Sequence, residues 1–484
     1  MKLKDILANC NIKNIVGKED REIAGITFDS RKATEGMMFF AVRGTNVDGH
    51  NYIAKALESG ATAVVCENLP EVVEGNVTYI QVENSAYALG VAASNFFGNP
   101  SQKLQLVGVT GTNGKTTIAT LLYRLFTDAG HLCGLLSTIE NIVGKEIIPS
   151  THTTPDPIEL NTLLQKMVER GCHYAFMEVS SHSVVQDRIA GLHFAGGIFT
   201  NLTHDHLDYH KTMANYRDAK KKFFDDLPST AFALTNLDDK NGGVMLQNTR
   251  AHKLTYALKH DADFKGVILE SHFDGMLMKV NGTEVFTQLV GGFNASNLLA
   301  IYGAATALGF DKNELLVEIS KLHGANGRFD MVHSEKGIVG IVDYAHTPDA
   351  LENVLKTINE VRFNKETLIT VVGCGGNRDT TKRPEMAAVA VRMSDRVILT
   401  SDNPRNEDPD EIIRQMKAGI NATDSHKVLS ISNRREAIRT AVALAKPGDL
   451  ILLAGKGHET YQEINGIKHH FDDKEELSKA FKEA

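Results

Sequence analysis

A buried-strand pattern over residues 104–109 runs into Gly111-Thr112-Asn113-Gly114-Lys115-Thr116-Thr117, and an amphipathic helical pattern follows. That order admits few folds. A strand, a glycine-rich turn and a helix N-terminus make a phosphate-binding loop on a mostly parallel α/β sheet. Glycines let backbone N–H groups close around phosphate oxygens, and the helix end adds partial positive charge. Lys115 is placed to reach the β- and γ-phosphates and the Thr116 hydroxyl to bind Mg²⁺. Ile118, Leu121, Leu122, Leu125 and Phe126 recur at helical spacing, and Gly130 marks the stop. The strict pattern G-x-x-x-x-G-K-[ST] is not met, because Val109 stands where its first glycine belongs. A plain glycine turn capping a helix is the bland alternative; the full strand–loop–helix order favours ATP or GTP, without choosing between them.

The 484 residues suggest about three domains, with expected boundaries at 1–100, 101–330 and 331–484. The first segment alternates β-like runs at 23–28, 38–42, 61–66 and 77–82 with helical patterns and ends in Gly98-Asn99-Pro100-Ser101. In the second, Asn281-Gly282 between GMLMKV and TEVFTQL is a strong hairpin signal. A second joint is expected near 324–336. Beyond it, runs at 338–342, 368–373, 396–400, 427–430 and 450–454 alternate with helices, which predicts a doubly wound, Rossmann-like parallel sheet. The net charge of −8 offers no basic footprint for nucleic acid. Five scattered cysteines without a CxxC pair read as reduced thiols, not a disulfide frame or zinc site. The N-terminus lacks the apolar run of a signal peptide, and no stretch is long enough for membrane insertion, so a cytoplasmic protein is expected. A monomer is expected too.

Other residues gather possible roles around the loop. Glu178 closes a β-like run, at the edge where α/β proteins place function, and Ser180-Ser181-His182 follows. Mg²⁺ prefers oxygen ligands, so Glu178 and Thr116 form a sensible pair. Asn201-Leu202-Thr203-His204-Asp205-His206-Leu207-Asp208-Tyr209-His210 is dense in ligand types, but without HExxH spacing zinc is disfavoured, and His204 and His210 read as loop-bridging histidines. On a helix, Tyr216, Ala219, Lys220, Phe223 and Phe224 share one face, with Lys221 and Lys222 pointing away. Burial favours a neutral Lys220 amine, the form that captures CO₂ as a carbamate; a snorkelling lysine is the ordinary reading. Asn294 in GGFNASN reads by default as an N-cap, and Arg328 as a cation able to swing onto phosphates.

The motifs TGTNGKTT, MEVSSH, NLTHDHLDYH, YRDAK, GGFNASN, GRFD, DYAHTPDAL, GCGGNRDTTKRP, DNPR and GKGHE, in this order along nearly the whole chain, resemble those of the Mur ligases of peptidoglycan assembly. The resemblance implies an N-terminal domain for a UDP-muramoyl dipeptide, a central ATPase domain and a C-terminal domain that supplies an amino acid. It implies dipeptide-nucleotide contacts at Ser30, Thr153, Thr154, Ser180, Gln186 and Arg188, and a carbamylated Lys220. It further implies magnesium ligands at Glu178 and His206 beside Thr116, and ATP contacts at Asn294, Arg328, Asp343 and His346. Asp330 and Asn433 depart from the family's usual residues.

Arg378, Asp402-Asn403-Pro404-Arg405 and Gly455–Glu459 each follow the carboxyl end of a predicted strand, so three distant loops are expected to meet. An amino acid with a second amino-acid head, such as meso-2,6-diaminopimelate, needs a cation for its distal carboxylate and carboxylates for its distal ammonium. Arg405 suits the first by a bidentate fork, and Asp402 and Glu459 suit the second. Lysine would leave Arg405 unpaired, and DNPR resembles the family's diaminopimelate-selecting motif. The expected function is ATP-dependent amide ligation through an acyl phosphate. The rivals are a folylpolyglutamate synthetase and a non-catalytic nucleotide switch.

Overall fold

The strand Gln105–Thr110 lies inside an 11-stranded sheet between Tyr174–Glu178 and Gly196–Phe199, parallel to both. This is a computed structural model that describes residues 1–44, 47–150, 152–362 and 366–484. The sheet is parallel from Phe264–His272 through Cys133–Leu136 and antiparallel at both edges. Helix Lys115–Asp128 follows the loop and buries the expected apolar stripe against one face; Gly130 ends it at φ +90°. Phe126 on that stripe stacks near Tyr174 and Phe176, at 4.5 and 5.2 Å between ring centres. On the opposite face Leu160, Leu164, Phe223 and Phe224 fill a second core layer. The Asn281-Gly282 hairpin forms as expected: both residues have positive φ, as a primed turn requires, and Val280 pairs with Thr283.

The N-terminal sheet has the order Ile12–Val16, Thr78–Val82, Ala63–Cys66, Met37–Phe40, Gly25–Thr27. The four expected runs are all present. Ile12–Val16 was not anticipated: it is an antiparallel edge strand with three exposed residues at its start, so it lacks a two-residue apolar period. Helix Ser85–Phe96 docks this unit on the central one, with Gly90 so close to Ala190 that a Cβ there would sit 2.8 Å from its methyl.

The third sheet runs Asp330–His333, Val339–Asp343, Leu450–Ala454, Leu368–Cys374, Arg396–Ser401, Val428–Ser430. Leu450–Ala454 inserts between the first two strands of the doubly wound pattern, which creates a crevice at the strands' carboxyl ends. Helices Pro348–Val361, Lys382–Met393 and Pro409–Lys417 cover one face; Arg434–Leu444 and Asp473–Glu483 cover the other. The joint expected at 324–336 is not all loop, because Asp330–His333 pairs antiparallel with Val339–Asp343. Among the described residues no helix is long and apolar enough to cross a membrane.

Candidate active site

Gly111 has φ +149°, and a Cβ there would sit 1.8 Å from Thr200 Oγ1; glycine is required by both conformation and space. The loop is stitched to the next strand's exit: Asn113 N donates to Asn201 Oδ1 at 2.9 Å, and Thr203 N donates to Thr112 Oγ1 at 3.0 Å. Lys115 Nζ folds back onto the carbonyls of Gly111 (2.9 Å) and Thr112 (2.7 Å), and burial lowers its pKa. Lys220, only 1% exposed, donates to the same Gly111 oxygen at 2.9 Å and lies 4.6 Å over the Tyr216 ring. Burial first, and then the Lys115 charge, push its pKa well below the usual lysine value. It has no hydrogen-bonded carboxylate among the described residues. The helix face expected around Lys220 is buried as anticipated, but Lys221 does not point clear of the protein: its side chain is mostly covered and ion-paired to Asp225 at 2.6 Å.

Glu178 ends its strand beside this pair. One oxygen accepts from Thr138 N at 2.7 Å, while Oε2 is buried with no partner. An orphaned carboxylate oxygen next to a phosphate loop fits a hard divalent cation. Among the described residues no three His, Cys, Asp or Glu side chains cluster as a self-sufficient metal site. A cation held at Glu178 would therefore complete its shell with ligands such as the Thr116 hydroxyl, His206, a modified lysine, substrate oxygens and water. His206 adopts φ +54° next to Asp205, and its ring packs edge-on to His182 at 4.9 Å; desolvation lowers its pKa. His210 is the buried bridge expected, paired with Ser181 Oγ at 2.9 Å, while His204 is exposed.

A polar ledge continues from Glu178. Thr154 Oγ1 donates to the Glu178 carbonyl at 2.8 Å and receives Ser180 N at 3.2 Å. Arg188 reaches the Thr154 carbonyl at 2.8 Å and grips Gln186 Oε1 twice. Thr153 Oγ1 accepts from Thr138 Oγ1 at 3.0 Å, which ties the ledge to Glu178's own partner. Ser30 is buried at the head of a 3₁₀ turn, Ser30–Lys32, capped by the Asp29 carboxylate. The Arg31 side chain beside Asp29 holds that carboxyl down at about 2.

The third unit closes over the loop. Arg328 donates to Thr116 Oγ1 at 3.2 Å, and its guanidinium lies 4.5 Å over Tyr344. Asp349 accepts from Asn113 Nδ2 at 2.9 Å. Asp343 receives Phe329 N and Ala345 N at 2.7 and 2.8 Å, and burial raises its pKa. His346 Nδ1 contacts the Tyr344 carbonyl at 2.9 Å, and burial pushes its pKa down to about 4. Asn294 is not the N-cap that its motif suggested. Gly291 takes that position, and Asn294 lies inside helix Gly292–Ala307, donating back to the Val290 carbonyl at 2.9 Å. Its side chain is fixed by Val290 and Asn297 instead, on the helix whose Asn297 packs against Gly114.

The three loops of the third sheet do meet. Gly376 N donates to the Asn403 carbonyl at 2.9 Å, Arg405 to the Gly376 carbonyl at 2.7 Å, and Asn403 Nδ2 to Glu459 at 2.7 Å. A Cβ on Gly455 would sit 2.9 Å from Asp402 Oδ2, so that glycine makes room for the carboxylate. Pro404 backs the loop, its carbonyl hard against Gly376. Arg405, expected to stand unpaired without a distal carboxylate, has Glu463 beside it at 3.4 Å. Arg378 is exposed and flanks Gly375 together with Arg405.

Three family models match in succession: the Mur ligase family, catalytic domain over residues 22–97, the Mur ligase middle domain over 109–305, and the Mur ligase, glutamate ligase domain over 327–457. The UDP-N-acetylmuramoyl-L-alanyl-D-glutamate–2,6-diaminopimelate ligase of Phocaeicola vulgatus is 60% identical over 481 residues, 99% of each chain. The chain belongs to the Mur ligase family. A solved structure of a UDP-N-acetylmuramoyl-L-alanyl-D-glutamate–2,6-diaminopimelate ligase superposes on this Mur ligase with TM-score 0.71 and 35% identity, covering 100% of this chain and 99% of the other. Folylpolyglutamate synthase of Mycobacterium tuberculosis shares the fold alone, at TM-score 0.63, 17% identity and 77% of this chain.

Several residues that shape this Mur ligase's cleft were not singled out in the sequence. Thr138 holds Glu178 and Thr153, Asn201 and Asp349 clasp the phosphate loop, and Tyr344 carries Arg328. Asn201, Tyr344 and Asp349 lie inside motifs already noticed, so the motifs carried a usable signal. Thr138 lies in no motif and had none.

Proposed function

We infer that this Mur ligase adds meso-2,6-diaminopimelate to the γ-carboxylate of the D-glutamyl residue of UDP-N-acetylmuramoyl-L-alanyl-D-glutamate, with ATP as co-substrate and an acyl phosphate as intermediate. The observation that carries this reading is the convergence of three surfaces on one cleft. These are the phosphate loop with its two lysines, the Thr154–Arg188 ledge running from Glu178, and the Asp402–Arg405–Glu459 pocket, joined to the loop through Thr116, Arg328, Tyr344 and His458.

Residues 1–100 and the ledge hold the dipeptide nucleotide through Ser30, Thr153, Thr154, Ser180, Gln186 and Arg188. Residues 101–330 bind ATP, with Gly111–Thr117 around the phosphates and Lys115 on the transferred oxygens; Asn294, Arg328 and, from the third segment, Asp343 complete the site. Backbone and lysine donors fixed before reaction stabilise charge that spreads over the phosphoryl oxygens. Thr116, Glu178, His206 and a carbamylated Lys220 are the residues that would hold Mg²⁺. Such an ion supplies charge neutralisation at the phosphoryl oxygens. Residues 331–484 bring diaminopimelate through Arg378, Asp402, Asn403, Pro404, Arg405, Gly455 and Glu459. His346 is the residue assigned to assist deprotonation of the attacking ammonium; burial holds it at about 4, so the role requires the negative charge of bound phosphates to raise its basicity. Closure of this unit over Asn113 and Thr116 excludes water from a hydrolysis-prone intermediate. The reading includes action in the cytoplasm as a monomer.

The test is product mass. Incubation with ATP, the UDP-dipeptide and diaminopimelate should give a species heavier by one diaminopimelate less one water. A product with no new amide, or one built equally well from lysine, defeats the reading.

A further inference from the structure

Lys456 lies in the amino-acid pocket with none of its surface exposed, and its ammonium faces three groups from two loops. Glu459 Oε2 is 3.2 Å away, Asn403 Oδ1 3.3 Å and Asp402 Oδ1 3.7 Å, and the Tyr461 ring centre lies 5.7 Å off. Asn403 closes the cluster by donating from Nδ2 to the same Glu459 oxygen at 2.7 Å. Its Oδ1 also receives Glu463 N at 2.9 Å, so the amide is locked in one orientation. The space between Asp402 and Glu459, where a ligand ammonium would be welcomed, is thus already filled by a tethered one.

The charge pattern requires this. Two carboxylates buried side by side do not both stay ionised without a cation between them. Burial first and then Asp402 push the Glu459 carboxyl upward, and Lys456 opposes them. A second cation stands behind: buried Arg434, paired with Asp473 at 2.6 Å, donates to the Ala454 carbonyl at 3.1 Å, just before Gly455. Asp402 Oδ1 is sealed from solvent and among the described residues has only the long ion pair to Lys456, so the acceptor an incoming group can reach is the other Glu459 oxygen. Oε1 makes no hydrogen bond among the described residues, and the side chain keeps 15% exposure.

We propose that Lys456 is the positioning residue of the amino-acid pocket: its ammonium occupies the space between Asp402 and Glu459 in place of a substrate ammonium and leaves Glu459 Oε1 as the acceptor for the substrate's distal amino group. This rests on the functional reading above. Lys456 touches no reacting atom; it acts through the two acids. Asp402 thus serves the substrate through Lys456, and the distal head is read at the rim of the pocket by Glu459 Oε1 with Arg378 and Arg405, which flank Gly375 together.

The test uses the full chain with ATP and the UDP-dipeptide at saturation. Lys456→Ala should raise the KM for diaminopimelate roughly tenfold or more, the loss of one charge-assisted contact network, and leave the KM for ATP unchanged. Methylammonium should restore the Ala variant by refilling the hole. It should not restore Lys456→Met, whose side chain fills it without charge. KM values for ATP and diaminopimelate that rise together, or an Ala variant indifferent to methylammonium, would overturn the proposal. If neither variant folds, reductive methylation of the wild-type chain decides. Lys456 should stay unmodified with and without diaminopimelate, whereas labelling that appears on diaminopimelate binding would mean the substrate displaces it. Failure of the functional reading itself is separate, visible as a wild-type chain that transfers no amino acid.

Discussion

Lys115 and Lys220 donate to one carbonyl oxygen, that of Gly111, and among the described residues no hydrogen-bonded acid neutralises either. Two ammonium groups sharing one buried acceptor favour the loss of one charge, which is the condition for carbamate formation at Lys220. Lys220→Ala should cut turnover by roughly 10²-fold or more, as loss of a preorganised charge group does, and short-chain carboxylates should restore part of it. Full activity would remove the carbamate. A different prediction concerns pH. Burial holds His210 and His346 at about 4 and His458 at about 3, against an ordinary 6.5. As pH falls through 6.5 the unfolded chain binds these protons and the folded chain does not, so stability should drop between about pH 7 and about pH 5. Denaturation midpoints at the two values check this; equal midpoints would contradict it. The phosphate-loop residues were legible because phosphate chemistry admits few alternatives at those positions. Lys456 was not, since a lysine's partners are set by loops far apart in the chain.

At the scale of elements, apolar runs located most strands of the second and third sheets, and helical spacing placed Lys115–Asp128 and Met213–Asp225. The failures share a cause. Ile12–Val16 and Asp330–His333 are edge strands with exposed or half-buried residues, so partner strands define them and their own pattern does not. Asn294 looked like a cap because of its residue type, but Gly291 at φ +94°, where an added Cβ would sit 2.5 Å from the Thr357 side chain, takes the turn. Gly111→Ala should leave a folded protein unable to bind nucleotide, because the new methyl collides with Thr200; calorimetric titration with ATP tests it. The last helix is pinned by the fully buried Arg434–Asp473 pair. Asp473→Ala leaves a buried, uncompensated guanidinium and should destabilise the chain by about 3–5 kcal/mol in chemical denaturation. A change under about 1 kcal/mol would mean the helix is held otherwise.

For the whole molecule, the central and third sheets meet at the phosphate loop, and the N-terminal unit docks on the central one through helix Ser85–Phe96. The contacts between the central and third units are both polar and apolar: Asp349 holds Asn113, and Val290, Phe273 and Phe293 pack against the third unit's core. The family's motif order made three domains legible, but how the third unit sits on the phosphate loop was not, because no local pattern encodes a contact 236 residues apart in sequence. The central claim is that ATP is consumed only to join the UDP-dipeptide to a diamino acid held in the third unit. The direct measurement is phosphate release with ATP present and each co-substrate omitted in turn, with lysine and ornithine substituted for diaminopimelate. Release should require both the UDP-dipeptide and diaminopimelate and be far weaker with lysine; release that ignores the amine would contradict the account.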